Sequence, residues 1–203
     1  MSRPSWDQYF VDLAKLVSTR ATCDRRHVGC VLVKDRNVLS SGYNGALPGA
    51  SHCDEHGHDL VKLADGIDNC VRTVHAEQNC IAQAAKRGIA TSGATAYINT
   101  FPCWPCARLL LAAGISEIVY EGEYKNDERV LRACADAGVE IRKVRKPLIE
   151  VCKGDKYLAS NVEYEVKDVN KDYVTIAYDG VNTWHKKLEE LRADIREGRW
   201  KKL

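Results

Sequence analysis

The chain has 203 residues, enough for one well-buried domain with an appendage and short for two full domains. Hydrophobic residues make up 45% and charged residues 29%, and 30 basic against 28 acidic side chains leave a net charge of +2, without the basic excess of a dedicated nucleic-acid binder. No apolar run approaches the ~20 residues of a membrane helix. Residues 1–6 carry none of the charged and apolar regions of a secretion signal, so a cytoplasmic protein is expected.

Apolar side chains at Trp6, Tyr9, Phe10, Leu13, Leu16 and Val17 predict a helix over residues 6–19 with one buried face. Strands follow at 28–33 and 38–43, turning at Asp35-Arg-Asn37. Residues 45–68 hold four glycines, a proline and three of the six histidines, and read as a long loop with a short helix inside. A loop of that length in a compact domain is functional or is pinned by something. Next come a helix at 75–87 stopped by Gly88, a strand at 94–100, and a helix at 106–113 ending at Gly114. A strand at 117–120, a helix at 126–137 capped by Gly138 and a strand at 139–144 complete the alternation. This pattern implies parallel pairing with helices on both faces of the sheet. Past Pro147 the texture changes to short strands at 148–152, 162–167 and 173–178 and a helix at 183–197. Two parts are therefore expected, a main domain at 1–147 and an extension at 148–203 whose role has no sequence signal.

Nine cysteines, an odd number, favour metal ligation over a disulfide framework. The informative pair of motifs is His75-Ala-Glu77 and Pro102-Cys-Trp-Pro-Cys106. A Cys-x-x-Cys turn leading into a helix presents both thiolates to one metal. With His75 that makes three protein ligands for zinc and leaves the fourth position to water, the arrangement of a catalytic site. Zinc lowers the pKa of bound water from about 15.7 toward 7. Glu77, two residues beyond His75, is placed to carry a proton without ligating. His-x-Glu followed by Pro-Cys-x-x-Cys is the signature of zinc nucleobase deaminases. A zinc knuckle or a redox cysteine pair leaves the upstream His-Ala-Glu unexplained.

Beyond these motifs, Cys23-Asp-Arg-Arg-His-Val-Gly29, Gly42-Tyr-Asn-Gly45, His52-Cys-Asp-Glu55, Cys70-Val-Arg-Thr-Val-His-Ala-Glu-Gln-Asn79 and Ala113-Gly-Ile115 resemble the deoxycytidylate (dCMP) deaminase family of bacteria and phages. The resemblance runs in order over residues 6–145. It implies an α/β protein with the three-layer α/β/α cytidine deaminase-like fold and a mixed five-stranded sheet, followed here by a small β-rich and helical extension. It implies His75, Cys103 and Cys106 on a catalytic zinc and Glu77 as proton shuttle. Asn44 is expected to touch sugar and base, and Tyr124 to lie against the substrate. Arg26 is the candidate for the 5′-phosphate, since a guanidinium meets phosphate oxygens in pairs. Cys23, Cys53 and Cys70 match positions that hold a second zinc in some relatives, with His58 as fourth ligand and His56 or His52 as alternatives. The other reading of these cysteines is a set of buried thiols. Cys30, Cys80 and Cys134 fall on core faces, and Cys152 has no assigned role. Trp104-Pro105 fills the Cys-x-x-Cys turn where the family often has small or polar residues. The resemblance also implies a homo-hexamer activated by dCTP and inhibited by dTTP, with Tyr43 and Gly45 as candidates for a triphosphate and Lys86 and Arg87 for a subunit contact. The expected reaction is hydrolytic deamination of dCMP to dUMP and ammonia, feeding thymidylate synthesis. Alternatives are another cytosine or adenine substrate (dCTP, a nucleoside, tRNA adenosine) or a silent dNTP-binding sensor, the last having no use for Glu77.

Overall fold

The computed structural model describes residues 3–62, 68–124, 127–144, 150–178 and 182–203. The chain divides into two compact units, Met1–Lys146 and Pro147–Leu203. In chain order the first unit holds α1 (Trp6–Ser18), β1 (Gly29–Lys34), β2 (Asn37–Tyr43), β3 (Gly45–Ala46), α2 (Cys53–His56), β4 (Leu60–Lys62), β5 (Asp68–Cys70) and β6 (Thr73–Val74). It continues with α3 (Ala76–Lys86), β7 (Thr95–Thr100), α4 (Trp104–Ala112), β8 (Glu117–Gly122), α5 (Glu128–Asp136) and β9 (Glu140–Lys143).

The main sheet runs β2-β1-β7-β8-β9. β1 is antiparallel to both β2 and β7, whereas β7–β8 and β8–β9 are parallel, joined through the crossover helices α4 and α5. The β1–β2 hairpin closes on Asp35 and Arg36, both at positive φ (50° and 63°), the backbone of a two-residue type I′ turn. Along β1, successive side chains enter different cores. Val31 and Val33 pack with Phe10, Val11 and Ala14 of α1 and with Tyr97, Val119 and Val144. Cys30 and Leu32 face α3, α4 and α5, among Cys80, Ala107, Leu110, Val130 and Cys134. The mixed five-stranded sheet with helices on both faces is the expected fold.

Two glycines set the distance between these layers. A Cβ on Gly29 would stand 2.0 Å from the Ala14 carbonyl oxygen of α1, and one on Gly42 would stand 2.4 Å from both the Ala76 oxygen and the Cys80 nitrogen of α3. In each case the obstacle is backbone, which has no rotamer to retreat into. Gly42→Ala is therefore expected to lower stability by about 3 kcal/mol, the upper range for overpacking. Chemical denaturation checks this, and a midpoint equal to that of the wild type would refute the close approach.

The expected loop at 45–68 contains more order than its composition suggested. β3 pairs with β6 and β4 with β5, tying the stretch to the approach to α3. Strands of two and three residues carry too little alternation to be read from sequence. Helix α4 starts two residues earlier than expected, because Pro105 sits in its first turn, where no backbone N–H is needed.

In the second unit β10 (Lys156–Ala159), β11 (Val162–Val169), β12 (Tyr173–Ala177) and β13 (Thr183–Lys187) precede α6 (Leu188–Arg196) and β14 (Lys201–Lys202). They form one antiparallel sheet in the order β13-β12-β11-β10-β14 over a core of Val151, Tyr157, Val166, Val174, Ile176, Leu188 and Leu191. Two expectations are corrected here. Residues 150–152 are not in a strand, and 148 and 149 lie outside the described residues. The helix expected over 183–197 begins at Leu188, because Thr183–Lys187 pairs with β12, with Trp184 opposite Ile176. No helix among the described residues is long and apolar enough to cross a membrane.

Candidate active site

The starts of α3 and α4 converge. His75 is the N-cap of α3 and Cys103 the N-cap of α4, both with extended backbone (φ/ψ −68°/156° and −72°/162°). Gln78 Oε1 accepts the His75 backbone N–H at 3.1 Å and fixes the entry to α3. His75 Nδ1 lies 3.4 Å from Cys103 Sγ and 3.3 Å from Cys106 Sγ. A tetrahedral zinc, with bonds of about 2.0 Å to nitrogen and 2.3 Å to sulfur, separates such ligands by about 3.5 Å. The donor types and their spacing fit one zinc.

The two thiols do not ionise alike. Cys103 is held well below the usual thiol range, first by the hydrogen bond from the Cys106 thiol and further by His75, against the effect of burial. Cys106 is pushed up, by that same contact and by burial. His75 is raised, chiefly by its hydrogen bond to Cys103. Glu77 is 3% exposed, and burial, followed by the Cys103 charge, raises its pKa. The Cys106 thiol draws the Glu77 carboxyl the other way, though less than burial does. A buried carboxyl that holds its proton more readily than an exposed one suits a proton carrier.

A second cluster brings together Cys23, Cys53, His58 and Cys70, whose ligand atoms all lie within 4.8 Å of one another. Cys53 Sγ is 3.6 Å from Cys70 Sγ, and Cys23 Sγ is 3.8 Å from His58 Nδ1. The other ring nitrogen, His58 Nε2, is 3.1 Å from Asp24 Oδ1. That contact sets the tautomer that leaves Nδ1 as a donor atom toward the thiols. His52 and His56 are outside the group. Four soft donors, three of them nearly fully buried thiols, match a closed structural zinc site.

The substrate candidates also meet. The Arg26 guanidinium carbon sits 4.2 Å above the Tyr124 ring. Asn44 is 8% exposed, its Oδ1 accepts the Val28 N–H at 2.7 Å and its Nδ2 donates to the Arg26 carbonyl at 2.8 Å, so the amide is engaged with backbone. Tyr43 ends β2 and Gly45 opens β3 on either side of it, while Lys86 and Arg87 end α3, about 17 Å along the helix from His75.

Residues 4–122 match the family described as the cytidine and deoxycytidylate deaminase zinc-binding region. The chain belongs to this family. It is 37% identical over 144 residues to ComE operon protein 2 of Bacillus subtilis, a match covering 71% of this chain and 74% of that protein. It is 39% identical over 130 residues to the deoxycytidylate deaminase of Mycobacterium phage D29, covering 61% of this chain and 99% of that enzyme. Against the deoxycytidylate deaminase of Schizosaccharomyces pombe it is 36% identical over 71% of its own length, spanning only 46% of the yeast enzyme. A crystal structure of dCMP deaminase from the cyanophage S-TIM5, in complex with dCMP and dUMP, aligns with a TM-score of 0.58 and 27% identity over 71% of this chain and 100% of that one.

Three further site residues of this deaminase-family chain escaped the sequence reading. Gln78 follows His75 by three positions, and Asp24 follows Cys23 directly; both spacings were available as signals. Asn99 was not signalled. Its Oδ1 accepts the Gly29 N–H and its Nδ2 donates to the His27 carbonyl, each at 3.0 Å, across 70 and 72 residues of chain.

Proposed function

We propose that this chain deaminates dCMP by hydrolysis, giving dUMP and ammonia. The observation that carries this reading is the buried Glu77 beside the His75, Cys103 and Cys106 donor set, in a chain whose relatives include deoxycytidylate deaminases. Those three residues would hold a zinc, which would supply an activated water at neutral pH. Glu77 takes a proton from the attacking water and gives it to N3 of cytosine, then takes the second proton from the new C4 hydroxyl and gives it to the departing amine, so that the C4–N bond breaks, the C4 carbonyl forms and ammonia leaves. Cys103, already biased to the thiolate, enters ligation at little protonation cost, whereas His75 and Cys106, both raised, give up a proton to ligate. Tyr124 lies against the base, Asn44 positions the Arg26 backbone, and Arg26 meets the 5′-phosphate. Cys23, Cys53, His58 and Cys70 hold a second, structural zinc.

The finer partners are part of the same proposal. The chain acts as a homo-hexamer, with dCTP and dTTP as effectors near Tyr43 and Gly45 and a subunit contact at Lys86 and Arg87. Nine cysteines, none in a disulfide, suit the reducing cytoplasm. A panel of dCMP, dCTP, CMP, deoxycytidine and adenosine, followed by ammonia release, tests the reaction. Turnover fastest on dCMP is the expected result, and activity on dCTP or adenosine with none on dCMP refutes it.

Arg26 supplies a sharper measure. Charge-assisted contacts to phosphate contribute about 1.5–3 kcal/mol each. Arg26→Ala is therefore expected to lower kcat/KM for dCMP by about 10²-fold while leaving deoxycytidine within about twofold. Equal losses on both substrates would make Arg26 a structural residue.

A further inference from the structure

We infer that Asn99 is a positioning residue for the phosphate end of the substrate, holding residues 27–29 extended so that Arg26 is presented at a fixed place; this rests on the reading of Arg26 given above.

The basis is how the chain is held just before β1. The β1–β2 register ends at Gly29 opposite Tyr43, and the β1–β7 register ends at Cys30 opposite Ile98. Upstream of those points, two side-chain carboxamides take over from the neighbouring strands. On the β2 side Asn44 bridges the Arg26 carbonyl and the Val28 N–H. On the β7 side Asn99 bridges the His27 carbonyl and the Gly29 N–H. Each amide thus spans a C=O and the N–H two residues later, which is the pair an adjacent strand would engage. The two act on alternate residues and opposite edges, so neither substitutes for the other.

The exposed residues Arg26 and His27 would otherwise stand on an unpaired loop. Clamped from both edges, Arg26 projects from rigid backbone and rests on Tyr124. A cation fixed before the ligand arrives loses less freedom on binding it. Gly29, the last residue Asn99 grips, is also where the α1 backbone comes closest to the sheet, so the clamp ends at a direct backbone contact between layers. Asn99 itself stands four residues before Cys103, which places the phosphate-side clamp and a zinc donor on one short stretch of chain.

The test compares Asn99→Ala and Asn99→Asp with Arg26→Ala. Asp keeps the acceptor for the Gly29 N–H and loses the donor for the His27 carbonyl, and it carries the test if the Ala variant does not fold. For Asn99→Ala the expected result is a KM for dCMP raised about tenfold with kcat within about twofold. The kcat/KM for deoxycytidine and the zinc content should stay at their wild-type values, and hydrogen exchange at the Gly29 amide should quicken. Asn99→Asp should fall between the Ala variant and wild type. Equal losses on dCMP and deoxycytidine, or a dCMP preference unchanged in both Asn99 variants, overturns the inference. If Arg26→Ala loses the preference and the Asn99 variants keep it, the clamp alone is wrong. If wild type and Arg26→Ala show the same preference, the reading of Arg26 fails and the role of Asn99 falls with it.

Discussion

Glu77→Gln is expected to cut turnover of dCMP by at least about 10³-fold, a rise of about 4 kcal/mol in the barrier. The side chain is 3% exposed, and burial together with the Cys103 charge already biases it toward holding a proton. Gln preserves the shape and the hydrogen-bonding reach of the buried group but can neither accept nor release the proton that the reaction moves more than once. Because His75, Cys103 and Cys106 form the donor set without Glu77, zinc content should remain at the wild-type level. Turnover assays paired with metal analysis check this. Loss of zinc in step with loss of activity would show that Glu77 serves the metal rather than the proton.

Cys53→Ser should have the largest effect on stability. The segment carrying α2, β4 and β5 leaves Leu47, Leu60, Val61 and Val71 exposed, each by 47% or more. What it buries, among the described residues, is the cluster of Cys23, Cys53 and Cys70. Ordering each backbone residue costs about 1–2 kcal/mol, and three thiols cannot offset that over such a stretch. A structural zinc contributes about 10–16 kcal/mol in small metal-dependent domains. Native protein should therefore hold two zinc ions per chain, and Cys53→Ser one. Its Tm should fall by about 10 °C, with new proteolysis within residues 45–70. The rate of the chemical step should change less than the Tm does. One zinc in native protein, with Cys53→Ser melting like wild type, would leave these residues as core thiols.

What the sequence made legible follows from how far the decisive information reaches along the chain. His75 and Glu77 sit within three residues, Cys103 and Cys106 within four, and each pair opens a helix, so the catalytic cluster was readable as local motif. The long elements of the first unit were readable because α1 buries apolar side chains at helical spacing and β1 is a short continuous apolar run buried on both faces. The β3–β6 and β4–β5 ladders were not, since two or three residues cannot display one. Thr183–Lys187 looked helical because Trp184, Leu188 and Leu191 share helical spacing, while its partner strand β12 lies outside that window. The family resemblance pointed to Asn44 as a substrate contact. That its amide is engaged with the Arg26 and Val28 backbone is a tertiary fact with no local trace.

The contact at Gly42 has a mechanical consequence. A strand normally meets a helix through side chains, which act as a compliant layer and absorb small displacements by changing rotamer. Here the backbones of β2 and α3 meet directly, and Asn79 Nδ2 also donates to the Tyr43 carbonyl at 2.8 Å. The turn at residues 43–45 and the first turn of α3 therefore behave as one stiff lever. A displacement at Tyr43 arrives undamped at His75 and Glu77, one residue to either side of the Ala76 carbonyl that Gly42 abuts.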